Sequence, residues 1–169
     1  HGQAWCFRRK HEGDGTGLFA SMPPLEAKKF LFSKAASQKG QNRWKELLFV
    51  DVVKAHLNAS TGDVDAFVEL PPEIAKKGKC AKLAFWLYGM RPAARGWEED
   101  YAGNLKEVGF VQGSSAPTVF VHEDREIELV VHGDDFTFSG ERKELERMRK
   151  KFGEWYDVKF RGIMGSRRG

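Results

Sequence analysis

An α+β fold, one antiparallel sheet with helices on one face, is what three features of this 169-residue sequence predict. The run Leu47-Leu48-Phe49-Val50-Asp51-Val52-Val53 is apolar but for one residue, and reads as a strand buried on both faces. A helix is expected over residues 91–108, with Pro92 in its first turn and Trp97, Tyr101, Leu105 and Val108 on one face. Residues 127–131 and Phe136-Thr137-Phe138 then read as a hairpin about Gly133-Asp134-Asp135, followed by a helix over 141–153 and a strand over 157–163. The resulting order, β-α-β-β-α-β, is the split βαβ or ferredoxin-like arrangement. In it the first strand and the middle hairpin are neighbours, so Asp51 is expected beside Asp134 and Asp135.

The other elements are read in the same way. Residues 1–22 are rich in Gly and charge without a sustained period, a frayed or incomplete element. Pro23-Pro24 opens a helix with Leu25, Phe30, Leu31 and Ala35 as its apolar face and Gly40 as its stop. Residues 64–70 and 80–88 read as two further strands, and 119–121 as a strand joined to 127–131 through the turn Glu123-Asp124-Arg125. The helix over 141–153 turns Leu145, Met148 and Phe152 inward. Its outer face carries Arg142, Lys143, Arg147, Arg149, Lys150 and Lys151 among Glu144 and Glu146, a pattern expected of a solvated, salt-bridged surface.

Composition narrows the function classes. With 41% apolar residues, 31% charged residues, thirteen Phe and five Trp, the chain is neither disordered nor collagenous nor a disulfide scaffold. No apolar run reaches the roughly 18–20 residues of a membrane span, so no membrane partner is expected. Two cysteines, Cys6 and Cys80, fit neither a zinc knuckle nor a secreted framework and favour a reducing, intracellular setting, cytoplasmic or nuclear. The net charge of +4 is concentrated in residues 1–50, where nine Lys/Arg face four Asp/Glu, which suits a polyanionic partner. Starting at His1 and closing on Gly165-Ser166-Arg167-Arg168-Gly169, the sequence reads as a piece of a longer polypeptide with no signal peptide and with 166–169 as a tail.

The three aspartates carry the chemical argument. An acidic turn such as Gly133-Asp134-Asp135 is by itself more often a solvated surface feature. Asp51 is different, because a carboxylate inside an apolar strand needs a cation, a donor or a proton. Three carboxylates brought together either rise in pKa or take up divalent cations. Oxygen donors without a His/Cys cluster favour Mg²⁺ or Mn²⁺ over zinc, and two such ions make the clamp used for nucleotidyl transfer.

These residues lie in blocks that resemble one family. Asp51-Val52-Val53-Lys54-Ala55-His56-Leu57-Asn58 is similar to the Asp-Val-Lys-Thr-Ala-Phe-Leu-Asn block of copia-type retrotransposon reverse transcriptases. Val68-Glu69-Leu70-Pro71-Pro72 resembles that family's Met-Glu-Gln-Pro-Pro, and Leu87-Tyr88-Gly89-Met90-Arg91 through Trp97 its Leu-Tyr-Gly-Leu-Lys…Ala-Trp. Gly109-Phe110 with Pro117-Thr118-Val119-Phe120, then His132-Gly133-Asp134-Asp135 in the place of Tyr-Val-Asp-Asp, complete five blocks in the family's order over residues 18–165.

The resemblance implies a polymerase palm, with 23–165 as the reverse transcriptase fingers–palm region and 1–22 as an incomplete fingers segment. It implies an RNA-directed DNA polymerase acting on an RNA template, a DNA or RNA primer and dNTPs, within a polyprotein that also carries integrase and ribonuclease H. Asp51, Asp134 and Asp135 would be catalytic and ligate two Mg²⁺ or Mn²⁺ ions, with the Val52 carbonyl helping to hold one of them. His56 would stand over the sugar, at the position whose aromatic ring excludes a 2′-hydroxyl. Tyr88 and Gly89 would line the nucleotide pocket, and His132 and Gly133 the primer end. Trp97 is expected to be core packing.

The sequence departs from the family pattern at His132, Gly133 and His56. Arg8, Arg9 and Lys10 are basic but do not match the fingers strand, and no thumb is recognised after Gly165, so the 169-residue chain by itself is expected to extend a primer poorly or not at all. Two other classes compete. A palm-type nucleotidyl cyclase would explain His132-Gly133-Asp134-Asp135-Phe136 but leaves the Leu-Tyr-Gly and Pro-Pro blocks without a role. A non-enzymatic RRM-like module would use the same topology to stack single-stranded bases, but needs aromatics where this chain has acids.

Overall fold

The computed structural model describes residues 25–37 and 44–165. Within them lie α1 (Leu25–Ala36), β1 (Glu46–Val52), β2 (Phe67–Val68), β3 (Ala81–Lys82), α2 (Arg91–Glu107) and β4 (Val111–Gln112). There follow β5 (Val119–His122), β6 (Ile127–His132), β7 (Asp135–Gly140), α3 (Arg142–Trp155) and β8 (Val158–Met164). The architecture is mixed α+β. Six strands form one sheet in the order β4-β5-β6-β7-β1-β8, with every neighbouring pair antiparallel, and β2 and β3 form a separate ribbon.

Alternation along β1 assigns its two faces. Leu48, Val50 and Val52 are fully buried with Leu129, Val131, Phe136 and Phe138 against α2 and α3. Leu47 and Phe49 point the other way, where Leu31 of α1 packs with Leu47 and Val130. The strand is thus covered on both faces, which is why its sequence is apolar at consecutive positions. The expectation that the helices share one face holds for α2 and α3 and is corrected for α1. That helix is pinned to the opposite face by Lys34, which pairs with Glu128 of β6.

Other boundaries also differ from expectation. Phe30 and Leu25 of α1 are exposed, leaving Leu31 as its buried anchor. The two long strands expected over 64–70 and 80–88 shrink to the two-residue β2 and β3 plus one bridge between Ser60 and Phe85. Trp86 instead fills the space beside Gly96 of α2, where an added Cβ would lie 3.0 Å from its ring. A side chain at 96 would press on the Trp86 ring and on Ala59.

The outer face of α3 carries the expected ion pairs. Arg149 pairs with Glu146 and Lys151 with Glu154, whereas Arg142 reaches the buried Glu46 of β1 and Glu144 pairs with Arg125. On its inner face Leu145, Met148 and Phe152 are buried, each contributing about 1.5–3 kcal/mol by burial. The expectations for residues 1–22, and for Pro23, Pro24 and Gly40 as the limits of the first helix, fall on residues outside those described, as does the tail 166–169.

Candidate active site

Register decides which acids meet. In the β1–β7 ladder Asp51 is paired directly with Asp135, and in the β6–β7 hairpin His132 is paired with Asp135. Directly opposed residues on neighbouring antiparallel strands have Cβ atoms about 4.5–5.5 Å apart and side chains on the same face. Asp134 lies in the turn just before β7, and its carbonyl accepts the Val52 N–H at 3.0 Å. Asp51, Asp134 and Asp135 therefore come together at one end of the sheet. Asp51 and Asp135 project on the face opposite α2 and α3, because Val50, Val52 and Phe136 take the helix side.

Two backbone features shape this end. Gly133 has φ +61°, the left-handed region that a tight hairpin turn requires, with open space where a Cβ would stand. Lys54 also adopts a left-handed conformation, φ 54° and ψ 41°, which costs a non-glycine residue about 1–2 kcal/mol. This sharp bend ends β1 and starts a 3-10 turn over Ala55–Asn58 that carries His56 back toward the acids.

His56 packs edge-on against Tyr88, ring centroids 4.5 Å apart. Burial raises the Asp134 pKa above the ordinary carboxylate value. The His56 imidazole opposes the rise, while the charges of Asp51 and Asp135 add to it. The Tyr88 hydroxyl is shifted upward as well, by burial first and then by the Asp134 carboxylate, with backbone groups of His56 and Ala55 pulling the other way. The two rings thus share the electrostatic environment of the acids. Gly89, beside Tyr88, has φ +83° in an open turn.

One residue emerges that sequence reading did not assign, and another does more than the core packing expected of it. Arg161 of β8 reaches both opposed acids, its Nη2 3.4 Å from Asp51 Oδ2 and 3.9 Å from Asp135 Oδ1. The signal for it was the alternation Lys159-Phe160-Arg161, which puts two cations on the acids' face and Phe160 beneath Arg149 of α3. Trp97, expected to be core, is buried, and its Nε1–H also donates to the Gly133 carbonyl at 3.1 Å.

Among the described residues no group of three or more His, Cys, Asp or Glu side chains is arranged to hold a metal ion. The residues gathered at this end of the sheet nonetheless offer carboxylate oxygens, the donor type that hard divalent cations take. Asp51 and Asp135 stand opposite each other with Asp134 in the adjoining turn, and the cation spanning the opposed pair is a solvent-exposed guanidinium.

A family model described as reverse transcriptase (RNA-dependent DNA polymerase) matches residues 6–166, and the chain belongs to that family. No curated protein and no solved structure matches it.

Proposed function

We infer that this chain is the fingers–palm region of a copia-type retrotransposon reverse transcriptase, which adds dNTPs to a primer 3′-hydroxyl on an RNA template. The observation that carries the reading is the direct pairing of Asp51 with Asp135, in register, next to Asp134. The strands β6-β7-β1-β8 supply the four neighbouring strands of a ferredoxin-like palm, with α2 and α3 as its helices. The five sequence blocks in family order support the copia-type assignment, and with it a polyprotein that includes integrase and ribonuclease H. A reducing intracellular compartment accords with the free, exposed thiol of Cys80.

In this reading Asp51, Asp134 and Asp135, with the Val52 carbonyl, hold two Mg²⁺ or Mn²⁺ ions. Those ions, when bound, supply charge neutralisation at the reacting phosphate and lower the pKa of the attacking hydroxyl. The protein's own part is positioning, which provides most of the rate in phosphoryl transfer. The turn His132-Gly133 supports the primer end. Tyr88 and Gly89 form a wall of the nucleotide pocket, and His56, held edge-on by Tyr88, presents its ring toward the sugar.

Single-nucleotide incorporation on an RNA-template/DNA-primer duplex tests the reading. The 169-residue chain is assayed alone and joined to the thumb of an active family member. Incorporation that requires Mg²⁺ or Mn²⁺ and is lost in Asp135→Asn supports it. Template binding without any incorporation in the joined form, unchanged by Asp135→Asn, favours the RRM-like alternative.

A further inference from the structure

We propose that Trp97 is a positioning residue for the acidic turn, setting the placement of Asp134 and Asp135 from both sides. The inference rests on the polymerase reading of those acids. On the N-terminal side of the pair, the indole Nε1–H donates to the Gly133 carbonyl at 3.1 Å. On the C-terminal side, the same indole meets the Phe136 ring edge-to-face, centroids 6.1 Å apart. Gly133 and Phe136 are the residues immediately before and after the acid pair.

The indole is itself fixed. Only 2% of its surface is exposed, and it contacts Tyr101 at 5.4 Å and Tyr156 at 5.0 Å between centroids. Tyr156 is held in turn, its hydroxyl donating to Asp100 Oδ2 at 2.7 Å and accepting from Asn104 Nδ2 at 2.6 Å. A chain of rigid contacts thus runs from α2 and the end of α3 to the turn. Gly133 has a left-handed backbone, φ +61°, and no side chain of its own with which to anchor the turn. The tryptophan hydrogen bond ties the Gly133 carbonyl to the core. The role calls for an N–H donor on a large flat ring, which phenylalanine lacks.

The test compares the chain with Trp97→Phe, which keeps an aromatic ring and removes the donor, and with Leu105→Val, a core change on the same helix. In the unaltered protein, a scalar coupling across the hydrogen bond from the Trp97 indole N–H to the Gly133 carbonyl carbon is expected. In Trp97→Phe the amide resonances of Gly133, Asp134 and Asp135 shift, and Mn²⁺ affinity falls about fivefold, the scale of one lost hydrogen bond. Leu105→Val lowers thermal stability but moves neither readout. The proposal is overturned if the coupling is absent, a result that needs no variant to fold. It is also overturned if Trp97→Phe behaves as Leu105→Val does. Failure of the unaltered chain to bind Mn²⁺ would instead count against the metal-binding reading, and the turn amides would still decide the role of Trp97.

Discussion

Asp51 and Asp135 stand directly across from each other on neighbouring antiparallel strands, with Arg161 from the next strand reaching both. Like charges opposed in a ladder are destabilising, and the guanidinium offsets that repulsion. The arrangement joins fold to chemistry, since the pairing that builds the sheet also concentrates negative charge at one end of it.

Arg161 and a divalent cation compete for the same carboxylates. Arg161→Ala should therefore tighten Mn²⁺ binding. Because the arginine is largely exposed, its pairing is worth no more than about 1 kcal/mol, so the gain is at most about fivefold. Calorimetric titration at low ionic strength measures it, and weaker binding in the variant would contradict the competition.

Two backbone substitutions should act in opposite directions. Lys54→Gly relieves a left-handed conformation and should stabilise the chain by up to about 1 kcal/mol. Gly133→Ala imposes the same strain where no contact rewards the new methyl, and should cost about 1–2 kcal/mol. Denaturant melts of both variants check the signs.

The tyrosines of α2 and of the end of α3 predict an alkaline weakness. Burial raises the Tyr101 and Tyr156 pKa values above the ordinary tyrosine value, and the hydrogen bond to Asp100 raises Tyr156 further. A raised native pKa means the native state holds its proton longer than the unfolded chain. The stability from each hydroxyl is therefore complete below about pH 10 and declines as pH rises beyond it, by up to about 1.4 kcal/mol per pH unit. Tyr156→Phe should be less stable than the parent at pH 7, by about 1–3 kcal/mol for its two lost hydrogen bonds, yet lose less between pH 10 and 11. Parallel melting curves at all pH values would refute the assignment.

His56 sets sugar choice if it stands where the family resemblance puts it. An imidazole is smaller than phenyl and carries hydrogen-bonding nitrogens, so it should reject a 2′-hydroxyl weakly. His56→Phe, in the chain joined to an active thumb, should raise the preference for dNTP over rNTP by about 1–3 kcal/mol. An unchanged ratio would remove His56 from the sugar pocket.

What could be read in the sequence, and what could not, follows from the range of each interaction. The β1 strand, α2 and the β6–β7 hairpin were legible because each has a period or a turn signature of its own, and Asp51 stood out by interrupting one. The juxtaposition of Asp51 with Asp135 followed from topology alone. The strands over 64–70 and 80–88 were placed correctly but read too long, because only the two-residue β2 and β3 within them find a partner, and the two-residue β4 is too short to show any alternation. Phe30 misled because helix 25–36 has one deeply buried anchor, Leu31, where the sequence offers several apolar candidates. The Trp97–Gly133 hydrogen bond joins a side chain to a backbone carbonyl, a pairing with no spacing rule. Arg161 became visible as a partner only once β8 was set beside β1.

The most direct test of the account is where a paramagnetic cation settles. Mn²⁺ added to isotope-labelled chain should broaden first the resonances of Asp51, Val52, Asp134 and Asp135, with those of His56 and Arg161 close behind. Asp51→Asn and Asp135→Asn, singly, should each weaken that effect without moving the α2 core signals of Trp97, Tyr101 and Leu105. Broadening centred elsewhere on the surface, or unaffected by either substitution, would contradict a carboxylate site built from these three aspartates.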